Sequence, residues 1–294
     1  MFSILIPSFN NIEYLKLCIK SINKNSKYNH QIIVHVNEGT DGSLDYIKEN
    51  KIEYTFSNEN IGMPKALNLS SKLARYDYIL ISHDDFYFCP GWDIELENEV
   101  KKLAHKNFYI SGTMVGAGQV KFDAGQTIDV FNEEKLLKNL KNIETFNFQG
   151  TTKCPGLVHK DMWNKLGGWS EEFSPTGGDD TDFAMKLWKN DVRIFKGLGK
   201  SLAYHFGSIT TRKKDKSLFT YLGSRGNKIF LKKWGISINF FEKFYLRSGL
   251  DDKKQLIFRE YMGELKDPKK NFRYYIEYFK VKLQKIYLII INYR

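Results

Sequence analysis

The chain has 294 residues and 42% hydrophobic content, which fits one large folded domain or two smaller ones and excludes a disordered or fibrous protein. Its net charge of +11 is uneven: residues 1–210 carry 24 Lys+Arg against 26 Asp+Glu, a balance of −2, whereas residues 211–294 carry 21 against 8, a balance of +13. A nucleic-acid footprint across the whole protein is therefore excluded, and a near-neutral domain of residues 1–210 with a basic, aromatic-rich extension of 211–294 is expected. Cys18, Cys89 and Cys154 are odd in number and widely spaced, which points to reduced thiols and a cytoplasmic setting. Met1 runs into the apolar Phe2–Ile6 without a basic leader, and the apolar Ile286–Ile291 is too short to span a bilayer.

In chain order, Phe2–Pro7 reads as a strand, and Ser8-Phe9-Asn10-Asn11 as a turn able to cap a helix. Ile12, Leu15, Cys18, Ile19 and Ile22 then recur at helical spacing. Gln31–Val36 is a second strand, ending in the polar turn Asn37–Ser43, and Ile52–Phe56 a third. Asn58–Gly62 leads into a helix bearing Ala66 and Leu67, and Tyr78–Ser82 is a fourth strand, apolar enough to be buried. Strands alternating with helical patterns predict a parallel sheet with right-handed crossovers. Each polar motif follows a strand, so all fall on one edge of that sheet, where open α/β sheets bind ligands.

Tyr78–Ser82 runs into His83-Asp84-Asp85. Two adjacent carboxylates repel each other unless a cation lies between them, and hard divalent cations take carboxylate and phosphate oxygens. The pair is read either as a metal–diphosphate site or as a solvated acidic turn. Further on, Phe108–Val115 reads as a strand, Asn132–Asn142 as a surface helix, Cys154–His159 as a short strand and Lys160–Leu166 as a helix. Gly167-Gly168-Trp169 precedes a second acidic cluster, Gly177-Gly178-Asp179-Asp180-Thr181-Asp182, at the start of a helix carrying Phe183, Leu187 and Trp188. Carboxylates at a helix start complement its dipole, which accounts for one or two acids but not for three in four residues. Val192–Phe195 and Leu202–Tyr204 read as two more strands, the second ending at His205.

In this order, Ile4–Asn10, the Asn37–Ser43 turn, Asn60-Ile61-Gly62 with Ala66 and Asn68, His83-Asp84-Asp85, and Gly167-Gly168-Trp169 with Asp179–Asp182 resemble glycosyltransferase family 2, of the GT-A fold. The resemblance covers residues 1 to about 206. It implies an α/β fold with a mostly parallel, Rossmann-like sheet flanked by helices. It also implies an inverting glycosyltransferase that moves a sugar from a nucleotide diphosphate donor, a UDP-sugar ahead of a GDP-sugar, to a glycan or lipid-linked acceptor. The acceptor motif is also similar to that of β-1,4-galactosyltransferases. On this resemblance Asp180 is the base, and Asp179, Trp169 and Gly178 contact the acceptor. Pro7, Ser8, Phe9, Asn37, Asn60, Gly62, Lys65 and Asp84 line the donor site, while Asp85 and His205 hold a divalent metal, Mn²⁺ or Mg²⁺. Where the family usually has two aspartates in the second turn, this chain has Asn37 and Glu38, and the first position of the usual Asp-x-Asp is His83. The acids beside Asp180 are expected to raise its pKa. His83 is read either as a further metal ligand or, in preference, as bonding nearby backbone, and His159 and Cys154 as packing residues.

Ser208–Lys216, with Thr210, Thr211, Arg212, Lys213 and Lys214, is read either as a basic lid over the diphosphate or as a solvated loop. Phe272, Tyr275, Ile276, Phe279, Leu283, Ile286, Tyr287 and Ile290 recur at helical spacing among Lys270, Arg273, Lys280, Lys282 and Lys285. Such a helix either docks on the domain or lies on an anionic membrane surface, so a peripheral membrane position is expected alongside docking. A nucleic-acid-binding protein using the basic segment would leave the acidic motifs unexplained. A nucleotidyltransferase would want a glycine-rich phosphate loop where Pro7-Ser8-Phe9-Asn10 stands. An inactive sugar-nucleotide-binding relative is the remaining alternative.

Overall fold

The computed structural model describes residues 1–207, 216–249 and 258–292. The first half alternates as the periodicity predicts: β1 (Ser3–Phe9), α1 (Ile12–Asn25), β2 (Gln31–Asn37), α2 (Ser43–Glu49), β3 (Glu53–Ser57), α3 (Met63–Ser71) and β4 (Tyr78–Ile81). β5 (Phe86–Phe88), α4 (Trp92–Leu103), β6 (Phe108–Gly116), α5 (Glu133–Asn139), β7 (Phe148–Gln149), β8 (Gly156–His159), α6 (Lys160–Leu166), α7 (Asp179–Lys189) and β9 (Ile194–His205) follow. The last described helices are α8 (Lys216–Trp234), α9 (Ile238–Phe241), which continues into a π-helical turn Glu242–Leu246, and α10 (Phe272–Asn292).

The nine strands form one sheet in the order β3-β2-β1-β4-β8-β6-β9-β5, with β7 beside β9. β1, β2, β3 and β4 pair in parallel, and β6 and β9 run the same way; β5, β7 and β8 oppose them. The sheet is thus mostly parallel, as expected. Register brings Phe9, Asn37 and Ser57 side by side at the carboxyl edge. One expectation is corrected: Val192–Phe195 and Leu202–Tyr204 are not two strands but the ends of β9. Gly197 and Gly199 lie between them, and β9 stays continuous by pairing along β6 across a register shift.

Ile4, Leu5, Ile6, Ile33, Val34, Ile79, Leu80 and Ile81 are fully or almost fully buried, because helices cover both faces of the parallel half. Phe230, Phe240, Phe241 and Leu246 belong to the same contiguous core, so α8 and α9 pack onto the domain rather than around a core of their own. α10 docks through Tyr274, Tyr278 and Val281, its tyrosine rings lying 5.0 and 5.9 Å from Phe240. The stripe singled out from the sequence faces outward instead: Phe272, Phe279 and Tyr287 are 82%, 63% and 63% exposed. No helix among the described residues is long and apolar enough to cross a membrane.

Candidate active site

Backbone pairing explains why Asp85 meets His205. Phe86 of β5 pairs with His205 of β9, and the Phe206 amide donates to the Asp85 carbonyl at 3.2 Å. His205 Nδ1 lies 2.7 Å from the Ala117 carbonyl. A carbonyl only accepts, so Nδ1 carries a proton, and Nε2 faces Asp85 with Oδ2 3.4 Å away. His83 completes the group: its ring stacks on Phe86 at 5.0 Å, and Nδ1 lies 3.9 Å from Asp85 Oδ1. One potential ligand atom from each of His83, Asp85 and His205 lies within 4.8 Å of the others. Burial pushes the His83 imidazole down to about 4, so the ring is neutral and able to coordinate. His83, read from sequence in preference as a backbone hydrogen bonder, therefore joins the potential ligands.

Asp84 turns the other way. It accepts from Ser8 Oγ at 2.7 Å, tying the end of β1 to the acidic loop. Burial, then the Asp85 charge, pushes its carboxyl up to about 7.

The second cluster is built at the start of α7. Gly177 and Gly178 have φ of +112° and +82°, and a Cβ on Gly177 would stand 2.6 Å from the Leu222 carbonyl oxygen of α8. Glycine thus permits both the turn and the close approach of α8. Asp179 is buried, accepting from Thr176 Oγ1 at 3.0 Å and the Gly177 amide at 3.1 Å. Asp180 instead meets Lys153, from the loop before β8: Lys153 Nζ donates to Asp180 Oδ2 at 2.5 Å. Burial works to raise the Asp180 carboxyl, but Lys153 and hydrogen bonds from Thr181 outweigh it and hold the pKa below the ordinary value. The expected upward shift falls on Asp179 instead, pushed up to about 7 by burial and by Asp180. The reason is the cation: Lys153 compensates one acid of the pair and leaves its neighbour to carry the repulsion. Burial likewise opposes the Lys153 charge, and Asp180 and Glu242 outweigh it.

Asp182, the third acid, is structural. It is fully buried and accepts from Ser170 Oγ at 2.6 Å and Trp234 Nε1 at 2.7 Å, with Lys233 Nζ 3.0 Å away. The two clusters lie within electrostatic reach of each other: His83 feels the charges of Asp180 and Lys153, and the buried Cys154 those of Asp179, Asp180 and Asp85. Beside them opens a cavity of about 360 Å³ whose wall includes Ala117, Gln119, Gln149, Thr151, Lys153 and Glu242.

Other expected site residues are placed differently. Trp169 is a core residue, 1% exposed with its ring 6.4 Å from that of Phe183, and so does not reach an acceptor as expected. Gly62 is a packing position, because a Cβ there would stand 2.5 Å from Pro175 Cα. Asn37 is buried: its Nδ2 donates to the Ser8 carbonyl at 3.2 Å and its Oδ1 accepts from the Ile61 amide at 3.0 Å, bracing the sheet edge. Asn60 Oδ1 accepts from the Gly62 amide at 3.0 Å, and both Asn60 and Lys65 are exposed near the start of α3. Pro7 and Phe9 are half-buried at the end of β1, and Gly178 precedes α7. His159 caps α6, its Nδ1 accepting from the Asp161 amide at 3.1 Å, and Cys154 is buried, in keeping with packing roles. The basic stretch 208–215 read as a lid lies outside the described residues. Lys153, Glu242, Gln119 and Gln149 were not anticipated: none sits in a motif, and they reach the cavity wall from two loops, the short strand β7 and the turn after α9.

Comparison with known proteins agrees with the fold. The sequence model described as "Glycosyl transferase family 2" matches residues 3–166. The hyaluronan synthase of Pasteurella multocida is 24% identical over 245 residues, 69% of this chain. The chain spans about a quarter of that relative's length, 24%. Among solved structures, S. aureus TarS 1–349 superposes with a TM-score of 0.53 at 15% identity, covering 83% of this chain and 72% of that one. GalNAc-T7, solved with UDP, GalNAc and Mn²⁺, superposes with a TM-score of 0.53 at 12% identity, covering 83% and 52%. At such identities the structural likeness concerns the GT-A fold.

Proposed function

The chain belongs to glycosyl transferase family 2, and from that premise we propose that this glycosyltransferase works by inversion, with a divalent cation, on a UDP-sugar and a glycan hydroxyl, in glycan or surface polysaccharide synthesis. The observation that carries the reading is the His83, Asp85 and His205 group within electrostatic reach of the Asp180–Lys153 ion pair.

The donor set suits a cation that accepts both nitrogen and oxygen. Two imidazoles and one carboxylate favour Mn²⁺ over Mg²⁺, which prefers oxygen ligands. GalNAc-T7, with the same fold, holds Mn²⁺ and UDP. A cation held by Asp85, His83 and His205 would supply positive charge to the leaving diphosphate.

The chain's own groups account for the rest. The acceptor hydroxyl attacks the anomeric carbon from the side opposite the diphosphate. A bond forms from that oxygen to the carbon, the carbon–phosphate oxygen bond breaks, and its electron pair leaves with the diphosphate. Asp180, ionised under the influence of Lys153, takes the hydroxyl proton. Asp179 sets the turn that aims Asp180, and Lys153 holds its carboxylate in place until the acceptor arrives. The cavity beside Lys153 has room for a reacting sugar. Ser8 and Asp84 fix the acidic loop against β1, next to the donor.

The exposed face of α10 supports a further element of this reading: a peripheral position on an anionic membrane. Eight large apolar side chains, Phe272, Tyr275, Ile276, Phe279, Leu283, Ile286, Tyr287 and Ile290, lie on its exposed side, and Lys280 and Lys282 accompany them.

A panel of nucleotide sugars, screened for stabilisation of the fold with Mn²⁺ present and then for turnover with candidate acceptors, tests the reading. A UDP-sugar that stabilises the protein and is consumed supports it. A protein that binds such a sugar and never turns it over is the inactive relative instead.

A further inference from the structure

A second cavity, of about 420 Å³, adjoins the one that holds Lys153, and Gln149 stands in the wall of both. The second wall gathers Lys243, Arg247, Arg259 and Lys269 against one carboxylate among the described residues, Glu260. These cations come from three separate stretches of chain: the turn after α9, the segment beside β7, and the approach to α10. Arg247 adopts φ +57°, in the left-handed region that non-glycine residues seldom occupy. The turn is held there by the Ser248 amide donating to the Glu242 carbonyl at 2.9 Å.

The junction carries the second observation. Gln149 is 4% exposed, and its Oε1 accepts from the Met262 amide at 3.2 Å, which fixes the orientation of the side-chain amide. Its Nε2 is then a buried donor with no hydrogen-bond partner among the described residues. Gln119, in the wall of the first cavity, repeats the arrangement: Oε1 accepts from the Met114 amide at 2.8 Å, and Nε2 is left without a partner. A buried donor left unsatisfied is unfavourable, so such sites favour a ligand that brings acceptor atoms. Arginines beside them add a demand for negative charge and bind planar anions in bidentate fashion.

Resting on the glycosyltransferase reading above, we propose that the acceptor is an acidic saccharide chain. Its terminal sugar lies in the first cavity beside Asp180. Its next acidic groups lie in the second, on Arg247 and Arg259, with Gln149 Nε2 donating at the junction. Carboxylate and phosphodiester share this chemistry.

Calorimetric titrations on the full chain, with UDP and Mn²⁺ present and ionic strength fixed, separate the cases. The probes are tetragalacturonate, a poly(glycerol phosphate) oligomer of matched charge, and neutral cellotetraose. At least one acidic probe is expected to bind about tenfold tighter than cellotetraose or better, and which one does so identifies carboxylate or phosphodiester. The variant R247N/R259Q is expected to lose that preference; asparagine tolerates the left-handed backbone at position 247. UDP-induced thermal stabilisation of the same variant controls for folding. Should the double variant lose it, R259Q alone, at an exposed side chain, carries the test. Equal binding of acidic and neutral probes, survival of the preference in the variant, or equally tight binding of an oligonucleotide of matched charge would overturn the inference. Loss of the acidic preference with UDP binding intact removes this inference alone, whereas a wild-type protein that binds no UDP-sugar removes the transferase reading beneath it.

Discussion

Lys153 Nζ lies 2.5 Å from Asp180 Oδ2, and this contact favours the charged form of Asp180 over that of its neighbour Asp179. Asp180 is held ionised while Asp179, one residue earlier, is pushed up to about 7. A proton acceptor must be ionised before it acts, so the ion pair favours Asp180 over Asp179 for the proposed role of base.

Two substitutions separate the roles. Asp180→Asn is expected to lower turnover by about 10²- to 10⁴-fold with UDP affinity unchanged. Lys153→Met removes the cation that lowers the Asp180 pKa, so the acid limb of the pH–rate profile should move to higher pH. An unmoved limb would show that Lys153 does not set the ionisation of the base.

Asp182 predicts the opposite behaviour two residues on. It is fully buried, and its partners are Ser170, Trp234 and Lys233. Asp182→Ala leaves Trp234 Nε1 unpaired, while Lys233 keeps Glu172 at 2.7 Å and Ser170 Oγ at 2.9 Å, and should destabilise the fold by about 1–3 kcal/mol. Chemical denaturation measures this, and turnover per folded molecule should hold.

His35 gives a pH signature of stability. It is fully buried on β2, its Nδ1 2.7 Å from Thr55 Oγ1, and burial pushes its pKa from 6.5 down to about 4. Between those values the unfolded chain binds the proton and the folded chain does not. His35 therefore costs stability as pH falls from 6.5 to 4, by about 1.4 kcal/mol for each unit. Melting curves of His35→Gln should show a smaller loss across that window than the wild type. Equal losses would mean that His35 is not held neutral.

The apolar stripe of α10 can be tested without disturbing its docked face. Phe279→Ser with Ile286→Ser changes two exposed side chains and spares Tyr274, Tyr278 and Val281. Each large apolar group moved out of water contributes about 1.5–3 kcal/mol, so co-sedimentation with phosphatidylglycerol vesicles should fall at least tenfold. Unchanged co-sedimentation would remove the membrane contact.

These comparisons also show what was legible in the sequence. The strands ending at Phe9, Asn37 and Ile81 were readable because parallel, doubly covered strands are continuously apolar and end in polar turns. Asp85 and His205 were readable as strand-end residues, yet their meeting depends on the pairing of β5 with β9, which spacing does not encode. The Asp180 pKa ran opposite to expectation because its partner lies 27 residues upstream on an irregular loop. Periodicity located the apolar stripe of α10 but not its direction. A helix with aromatic residues on two sides buries the one that finds partners, here Tyr274 against Phe240 and Phe244.

The most direct test of the proposed metal site is UDP release from a UDP-sugar donor with acceptor present, followed as EDTA is titrated against Mn²⁺ in the wild type and in Asp85→Ala. The account predicts wild-type turnover that collapses in excess chelator and returns with Mn²⁺, and a variant that Mn²⁺ does not restore. Wild-type turnover that persists undiminished in excess EDTA would contradict it.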